Sequence, residues 1–386
     1  MLTGAITVCL LLSTSQAGPP LKQLHILFRH GDRSPSGSYP TDPYWNYSWP
    51  GGWGSLTNVG KLQMYKLGQI LRKQYSDFIP AQYSAKNIAV NSSSVDRCIM
   101  SALAFSAGMF PPTGEQVWTQ EILWQPIPVH YLPRDLDTTL VMKKPCPKYD
   151  AMFKDVENSP VLKALERKYK PLLQHLSKHT GMEIKTVRQV ESLYIILHIQ
   201  RYHNLTLPSW LNDSMMADMK MLAARTLAYY SETEYMKRIK GGSFLKHVLR
   251  SMESILNGQE EAQVNLYSAH DITLVHVLRG LHLVDDTVKP DYGAYLIFEL
   301  YTDGEVKFKY SNAWDSQPDP GMVLCRTPCK VKQLEHMLKS MIPVDYDQEC
   351  RLQLASNSST SLSIWTGYVI CIVTTIIICN FSQNMY

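Results

Sequence analysis

The chain has 386 residues, 45% hydrophobic and 19% charged, with 38 Lys and Arg against 34 Asp and Glu for a formal net charge of +4. That length allows a sizeable core in more than one domain. A nearly balanced charge without a Lys/Arg block excludes a nucleic-acid binder.

An apolar stretch at residues 5–12 runs into Ser15-Gln16-Ala17, the pattern of a secretory signal (1–17) removed before Gly18. It is shorter than the roughly 20 residues of a spanning helix. "LHILF" (24–28), followed by Gly31 and Pro35, predicts a short buried strand. The stretch "SYPTDPYWNYSWPGGWG" predicts a loop. Thr57 is placed to cap a helix through about Tyr75, with Val59, Leu62, Leu67, Ile70 and Leu71 on its apolar side. A second strand is expected at 87–90 and an Ala- and Met-rich helix at 97–109, an alternation that predicts an α/β layer with a partly parallel sheet.

From 145 to 256 the pattern becomes helical, most clearly in "SPVLKALERKYKPLLQHLSKHTG". The α/β pattern returns with a strand at 264–267 and with "SAHDITLVHVLRGL", where Asp271 reads as the cap of a helix closed by Gly280. Two strands, "YGAYLIFELY" and "EVKFKYS", flank the hairpin signal Thr302-Asp303-Gly304. The expected organisation is an α/β domain from two segments (18–144 and 257–350), a helical insert (145–256), a linker (351–361), an uncharged segment long enough to span a membrane (362–379) and a tail (380–386). The tail lacks the Lys or Arg that fixes a cytoplasmic side. A lipid-anchor signal with attachment near residues 356–359 therefore stands as the alternative.

Of eight cysteines, Cys9 falls in the signal and Cys371 and Cys379 in the hydrophobic segment. The five others are Cys98, Cys146, Cys325, Cys329 and Cys350, an odd count that implies two bridges and one thiol in an oxidising compartment. Spacing does not pair them. Cys325 and Cys329 lack the second ligand pair of a metal site. Sequons at Asn46, Asn91, Asn204, Asn212 and Asn357 fit an extracytosolic chain.

Arg29, His30 and Arg33 follow the first strand. Guanidinium forks match phosphate oxygens, and with only Asp32 nearby an external anion is their natural partner. His270 and Asp271 follow a later strand, and ligands of open α/β sheets bind beyond such strand ends. Read alone, each has a plainer role: His30 a satisfied structural histidine, His270 a loop residue, Asp271 a helix cap.

The motif Arg-His-Gly-x-Arg-x-Pro early and His-Asp late, with "YPTDPY", "MFPPTG", "WQPIPVH", "LTLPSW", "LYSAHD" and "IPVDYDQEC" in order across roughly 21–350, resembles the histidine acid phosphatases. These are branch 2 of the histidine phosphatase superfamily, and the blocks resemble those of the prostatic and lysosomal type. The resemblance implies a mixed sheet flanked by helices, phosphoglycerate-mutase-like, with an inserted helical domain. It implies an acid phosphatase acting on phosphate monoesters through a phosphohistidine. His30 would be the nucleophile, Asp271 the proton donor, and Arg29, Arg33, Arg97 and His270 the phosphate pocket, without cofactor or metal. Arg97 enters because "SVDRCIMSA" matches the family's Asp-Arg segment. The resemblance also pairs Cys146 with Cys350 and Cys325 with Cys329, leaving Cys98.

Implied substrates are small phosphomonoesters, with phosphoproteins and lysophospholipids as further classes, and the implied assembly is a homodimer. The implied location is a single-pass type I membrane protein with its catalytic domain extracellular or lumenal, at the cell surface or in a secretory or lysosomal compartment. The chain departs from these relatives at residues 91–94, Asn-Ser-Ser-Ser in place of Arg-Ser-Thr-Asp. It also departs at Ile199 and Tyr295, which stand where those relatives form a further bridge, and in a tail without a tyrosine-based lysosomal signal. A phytase-like phosphatase and a catalytically silent phosphate-ligand-binding protein are the competing readings.

Overall fold

The computed structural model describes residues 18–319, 324–325 and 328–352. The expected signal, the 362–379 segment, the tail, Cys9, Asn357, Cys371 and Cys379 lie outside the described residues. A compact unit ends at Cys350 and holds the fold and the site.

In chain order the elements are β1 (Leu21–Arg29), α1 (Asn58–Gln74), β2 (Ile88–Ser92), α2 (Asp96–Met109), β3 (His130–Tyr131), α3 (Pro147–Glu157), α4 (Pro160–Lys168), α5 (Lys170–Thr180), α6 (Val187–Tyr202), α7 (Asp213–Tyr229) and α8 (Glu234–Leu256). After these come β4 (Val264–Ala269), α9 (Asp271–Gly280), β5 (Tyr295–Tyr301), β6 (Glu305–Ser311), β7 (Cys329–Lys330), α10 (Val331–Met337) and α11 (Tyr346–Glu349). The strands form one mixed sheet in the order β3-β2-β4-β1-β5-β6-β7. β3, β2, β4 and β1 are mutually parallel, whereas β5, β6 and β7 run antiparallel to their neighbours.

β1 is buried on both faces, which is why it reads as a continuous apolar run rather than an alternation. Leu24, Ile26 and Phe28 pack in one core with Met64, Leu67 and Leu71 of α1 and Ala102 and Phe105 of α2. Leu27 faces the opposite core, built with α8, α9 and α10. On that second face two polar side chains of β1 find partners: Gln23 donates to Ser251, and His25 Nδ1 lies 3.0 Å from the Tyr267 hydroxyl.

Helices α3 to α7 share a third core, to which the start of α8 contributes Met236 and Ile239. The rest of α8, from Phe244 to Ile255, belongs to the sheet-side core. This one long helix therefore joins the two packings, and a boundary at residue 256 falls after a helix that serves both. The run 159–181 forms two helices, because Pro171 lacks an N–H and fits only a first turn; α4 ends before Tyr169 and α5 starts after it.

Thr57 caps α1, accepting from Gly60 N, but the buried face differs from the expected one. Gly60, Gln63, Met64, Leu67, Gly68 and Leu71 are buried, while Val59, Leu62 and Ile70 are exposed. Hydropathy misses this face because its contacts are made by glycines. A Cβ on Gly68 would lie 2.2 Å from the Phe105 carbonyl oxygen of α2, and one on Gly60 would lie 2.1 Å from that of Asp32.

Disulfides join Cys146 to Cys350 and Cys325 to Cys329, and Cys98 is a buried free thiol. The first bridge closes a separation of 204 residues, which by chain entropy stabilises the fold by about 5 kcal/mol.

Candidate active site

Three neighbouring parallel strands end at one edge of the sheet. Arg29 of β1 is in register with Ala269 of β4, and Ser268 of β4 with Ser92 of β2. His30 leaves β1 with its N–H still bonded to the Ala269 carbonyl at 3.0 Å. His270 and Asp271 follow β4, and Arg97 lies in the first turn of α2, directly after β2. Gly31 rests on α1, where a Cβ would lie 2.3 Å from the Gly60 carbonyl oxygen. His30, Asp271, Arg29, Arg33, Arg97 and His270 are thus brought to one place.

The hydrogen bonds define the His30 tautomer. Nδ1 lies 2.7 Å from the Gly31 carbonyl, which can only accept, so Nδ1 carries the proton. Arg97 Nε donates to Nε2 at 3.0 Å, so Nε2 presents a lone pair. Burial, then the guanidiniums of Arg97 and Arg29, then His270 and Arg33, hold His30 well below its ordinary 6.5. The imidazole therefore stays neutral into the acid range. His270, held to about 3 by burial and Arg97, stands edge-on to His30 with ring centroids 5.7 Å apart. Arg97 Nη2 points at its Nδ1 at 3.5 Å, and Ser93 Oγ lies 2.9 Å from its Nε2. Ser93 orients His270 through this contact.

Asp271 is not the cap of α9. His270 takes the N-cap position and Asp271 the first helical one, because the strand's extended backbone continues through His270. Asp271 Oδ1 accepts from Ile272 N at 2.9 Å, and Oδ2 is 2.7 Å from Lys289 Nζ and 3.4 Å from Arg29 Nη2. Burial favours its acid form, but the Lys289 ammonium and the Arg29 guanidinium outweigh it and hold the carboxyl well below its ordinary range. Arg29 also donates to the Pro290 carbonyl at 2.8 Å and lies 4.3 Å from the centre of the Tyr292 ring. Its Nε is buried without a partner among the described residues.

Asp32, the expected local counter-charge, turns away from the arginines to hold the loop. It accepts from Thr57 Oγ1, and its Oδ2 lies 2.8 Å from His203 Nε2. Arg33 donates to the Ser34 carbonyl at 2.9 Å and to Ser36 Oγ at 3.1 Å. The site thus holds an excess of buried cations, which favours a bound anion.

Sequence reasoning missed Lys289, Tyr292, Ser93 and Glu191. Arg188, Glu191, Tyr194 and His198 recur at helical spacing along α6. Tyr194 and His198 line a small cavity with Arg29, Lys289 and Tyr292. Glu191, between them and Arg188, lies in the field of Lys289, Asp271, Arg33 and Arg29, and burial raises its pKa. Only α6's spacing signalled this group. A cleft of about 740 Å³ reaches Arg97 past Trp53, Leu56 and Met100. Asn46, Asn204 and Asn212 are exposed, and Asn91 is half-buried in β2. Among the described residues, no group of three or more His, Cys, Asp or Glu is arranged to hold a metal ion.

Residues 20–314 match the sequence pattern of the Histidine phosphatase superfamily (branch 2). The chain is 32% identical over 342 residues to the lysosomal acid phosphatase of Homo sapiens, covering 86% of this chain and 80% of that protein. It is 32% identical over 348 residues to the prostatic acid phosphatase of Homo sapiens, covering 88% and 90%. Among solved structures, the apo form of Hafnia alvei phytase superposes with a TM-score of 0.65 at 14% identity, covering 88% of this chain and 100% of that one. The likeness to that structure concerns the fold alone.

Proposed function

The chain belongs to branch 2 of the histidine phosphatase superfamily and is an acid phosphatase hydrolysing phosphate monoesters; we propose that it does so through a phosphohistidine on His30. The observation that carries this reading is the neutral His30 ring, with its proton on Nδ1 and its Nε2 lone pair facing Arg97. A monoester enters with its phosphoryl oxygens taken by Arg29, Arg33, Arg97 and His270, and the phosphate replaces His30 as the acceptor of the Arg97 Nε–H. Nε2 attacks phosphorus in line: the N–P bond forms, the P–O ester bond breaks, and Asp271 gives its proton to the leaving oxygen. Water then attacks the phosphohistidine, loses its proton to Asp271 and releases phosphate. Positioning and fixed positive charge supply most of the acceleration.

Asp271 is ionised in the resting site and must be protonated in the substrate complex. An arriving phosphate dianion draws on the same Arg29 and repels the carboxylate, which raises its pKa. Acid medium serves the same end, while burial and the cationic surroundings keep His30 unprotonated there.

The catalytic domain acts in a lumenal or extracellular space. Two disulfides and three exposed sequons support that placement. Residues 362–379 would tether it to a membrane, with release by a phosphatidylinositol-specific phospholipase marking the lipid-anchor alternative; among the described residues no helix is long and apolar enough to cross one. Homodimerisation rests on the resemblance alone.

The enzymatic reading is tested by turnover of phenyl phosphate at acidic and neutral pH, with and without a chelator. Turnover that is greater in acid and unaffected by the chelator is expected. No turnover at any pH would show a silent member of the family.

A further inference from the structure

Ile272, the residue after Asp271, and His276, one helical turn on, line a second cavity of about 500 Å³ walled by Lys143, Tyr149, Phe153 and Lys240. Lys240, on α8, is 7% exposed. Its ammonium donates to the Met142 carbonyl at 2.8 Å and lies 4.0 Å from the centre of the Tyr149 ring, and no carboxylate forms an ion pair with it among the described residues. His276 is 3% exposed, and its Nδ1 has no partner among the described residues. The two groups meet because α8 passes close to α9 at Gly241, where a Cβ would lie 2.2 Å from the His276 carbonyl oxygen.

Other charges on the wall are differently placed. Lys144 pairs with Asp347 and Arg188 with Glu157. Asp150 is the one carboxylate lining the cavity, and it is exposed. Lys143, also exposed at the mouth, lies 6.0 Å from the centre of the Tyr230 ring and forms no ion pair among the described residues. A buried ammonium without a counter-ion and a buried ring nitrogen without a partner are both costly. Burial, then Lys143, lowers Lys240 to about 8, and burial with Lys240 and Lys143 holds His276 well below its ordinary range. One oxyanion would relieve both groups.

We propose that this cavity binds an oxyanion, a carboxylate or phosphate, carried on the leaving group of the ester whose phosphoryl group is held by Arg29, Arg33 and Arg97. The inference rests on the catalytic reading above and goes beyond it by assigning a substrate class: monoesters with a second acidic group on the alcohol side. What connects the cavity with the catalytic group is α9: Ile272 of the cavity wall directly follows the proposed proton donor in that helix. Its apolar sides, Tyr149, Phe153 and Ile272, would pack the linker between the two acids.

The test uses phenyl phosphates bearing a carboxylate on linkers of increasing length, each compared with its own methyl ester. The wild-type protein should turn over one linker length with kcat/KM about tenfold above that of its methyl ester. Lys240→Met should abolish that ratio and leave unsubstituted phenyl phosphate unchanged. Lys143→Ser, exposed and safe for folding, should reduce it. A ratio near one at every linker length, or an undiminished ratio in both variants, overturns the proposal. If inorganic sulfate raises thermal stability through Lys240 while the ratio stays at one, the cavity takes a free anion and the leaving-group assignment fails. Absence of turnover on phenyl phosphate itself would instead refute the catalytic reading.

Discussion

The parallel and antiparallel halves of the sheet both bury charge, and they resolve it differently. On the antiparallel side, Glu299 of β5 is 2% exposed, and its carboxylate is met by Lys309 at 2.6 Å, Tyr75 at 2.7 Å and Tyr301 at 3.0 Å. On the parallel side, Arg29, Arg33, Arg97 and Lys289 gather at the strand ends; Asp271 pairs with Arg29 and Lys289, while Arg33 and Arg97 form no ion pair with a carboxylate among the described residues, and that part of the charge stays uncompensated. A buried charge satisfied within the protein contributes structure, whereas a surplus of fixed cations is a preorganised site for an anion that the protein does not itself supply.

Substitutions sharpen that contrast. His30→Ala should cut turnover on the order of 10⁴-fold or more while the protein still unfolds cooperatively, since removal of a covalent nucleophile leaves only binding and charge; near-normal rates would break the contrast. Asp271→Asn should cost about 10²–10⁴-fold on alkyl phosphates, whose alkoxides need a proton, and less on aryl phosphates. Equal losses on both ester types would make Asp271 a positioning residue only. On the other half, Glu299→Leu should lower unfolding free energy by about 3 kcal/mol in a denaturant titration, because Tyr75 and Tyr301 lose a buried partner. Its kcat should stay at the wild-type level.

The smallest effect concerns pH. The Lys289 ammonium favours the Asp271 carboxylate, so Lys289→Met raises that carboxyl's pKa, and the protonated acid persists to higher pH. The alkaline limb of the rate profile for an alkyl phosphate should therefore move upward. An unmoved or downward-shifted limb would mean that Asp271 is not the group titrating.

The two halves also differ in how far they could be read from the chain. β1, β4 and α9 were legible because strand-end residues follow apolar runs, so His30, His270 and Asp271 could be placed at one edge before any coordinates. Tyr292 and Lys289 were not, since they lie between α9 and β5 in a loop with no periodicity, and their contacts to Arg29 and Asp271 are purely tertiary. The buried face of α1 is not legible from hydropathy because glycines carry part of its contacts. The plainer reading of Asp271, a helix cap, fails because the extended backbone after β4 continues through His270, which takes the cap position. Glu299 was invisible for the opposite reason: within "YGAYLIFELY" a lone acid carries no signal of the three partners that converge on it.

Burial and the surrounding guanidiniums together keep His30 neutral, and the proposed reaction needs its Nε2 directed at phosphorus. That requirement is tested by quenching turnover of a ³²P-labelled aryl phosphate in alkali, which preserves phosphohistidine, and mapping the label by mass spectrometry. The account predicts label on His30, attached at Nε2, formed in acid as well as neutral medium and absent in His30→Ala. Label on another residue, attachment at Nδ1, or full turnover with no labelled protein would contradict it.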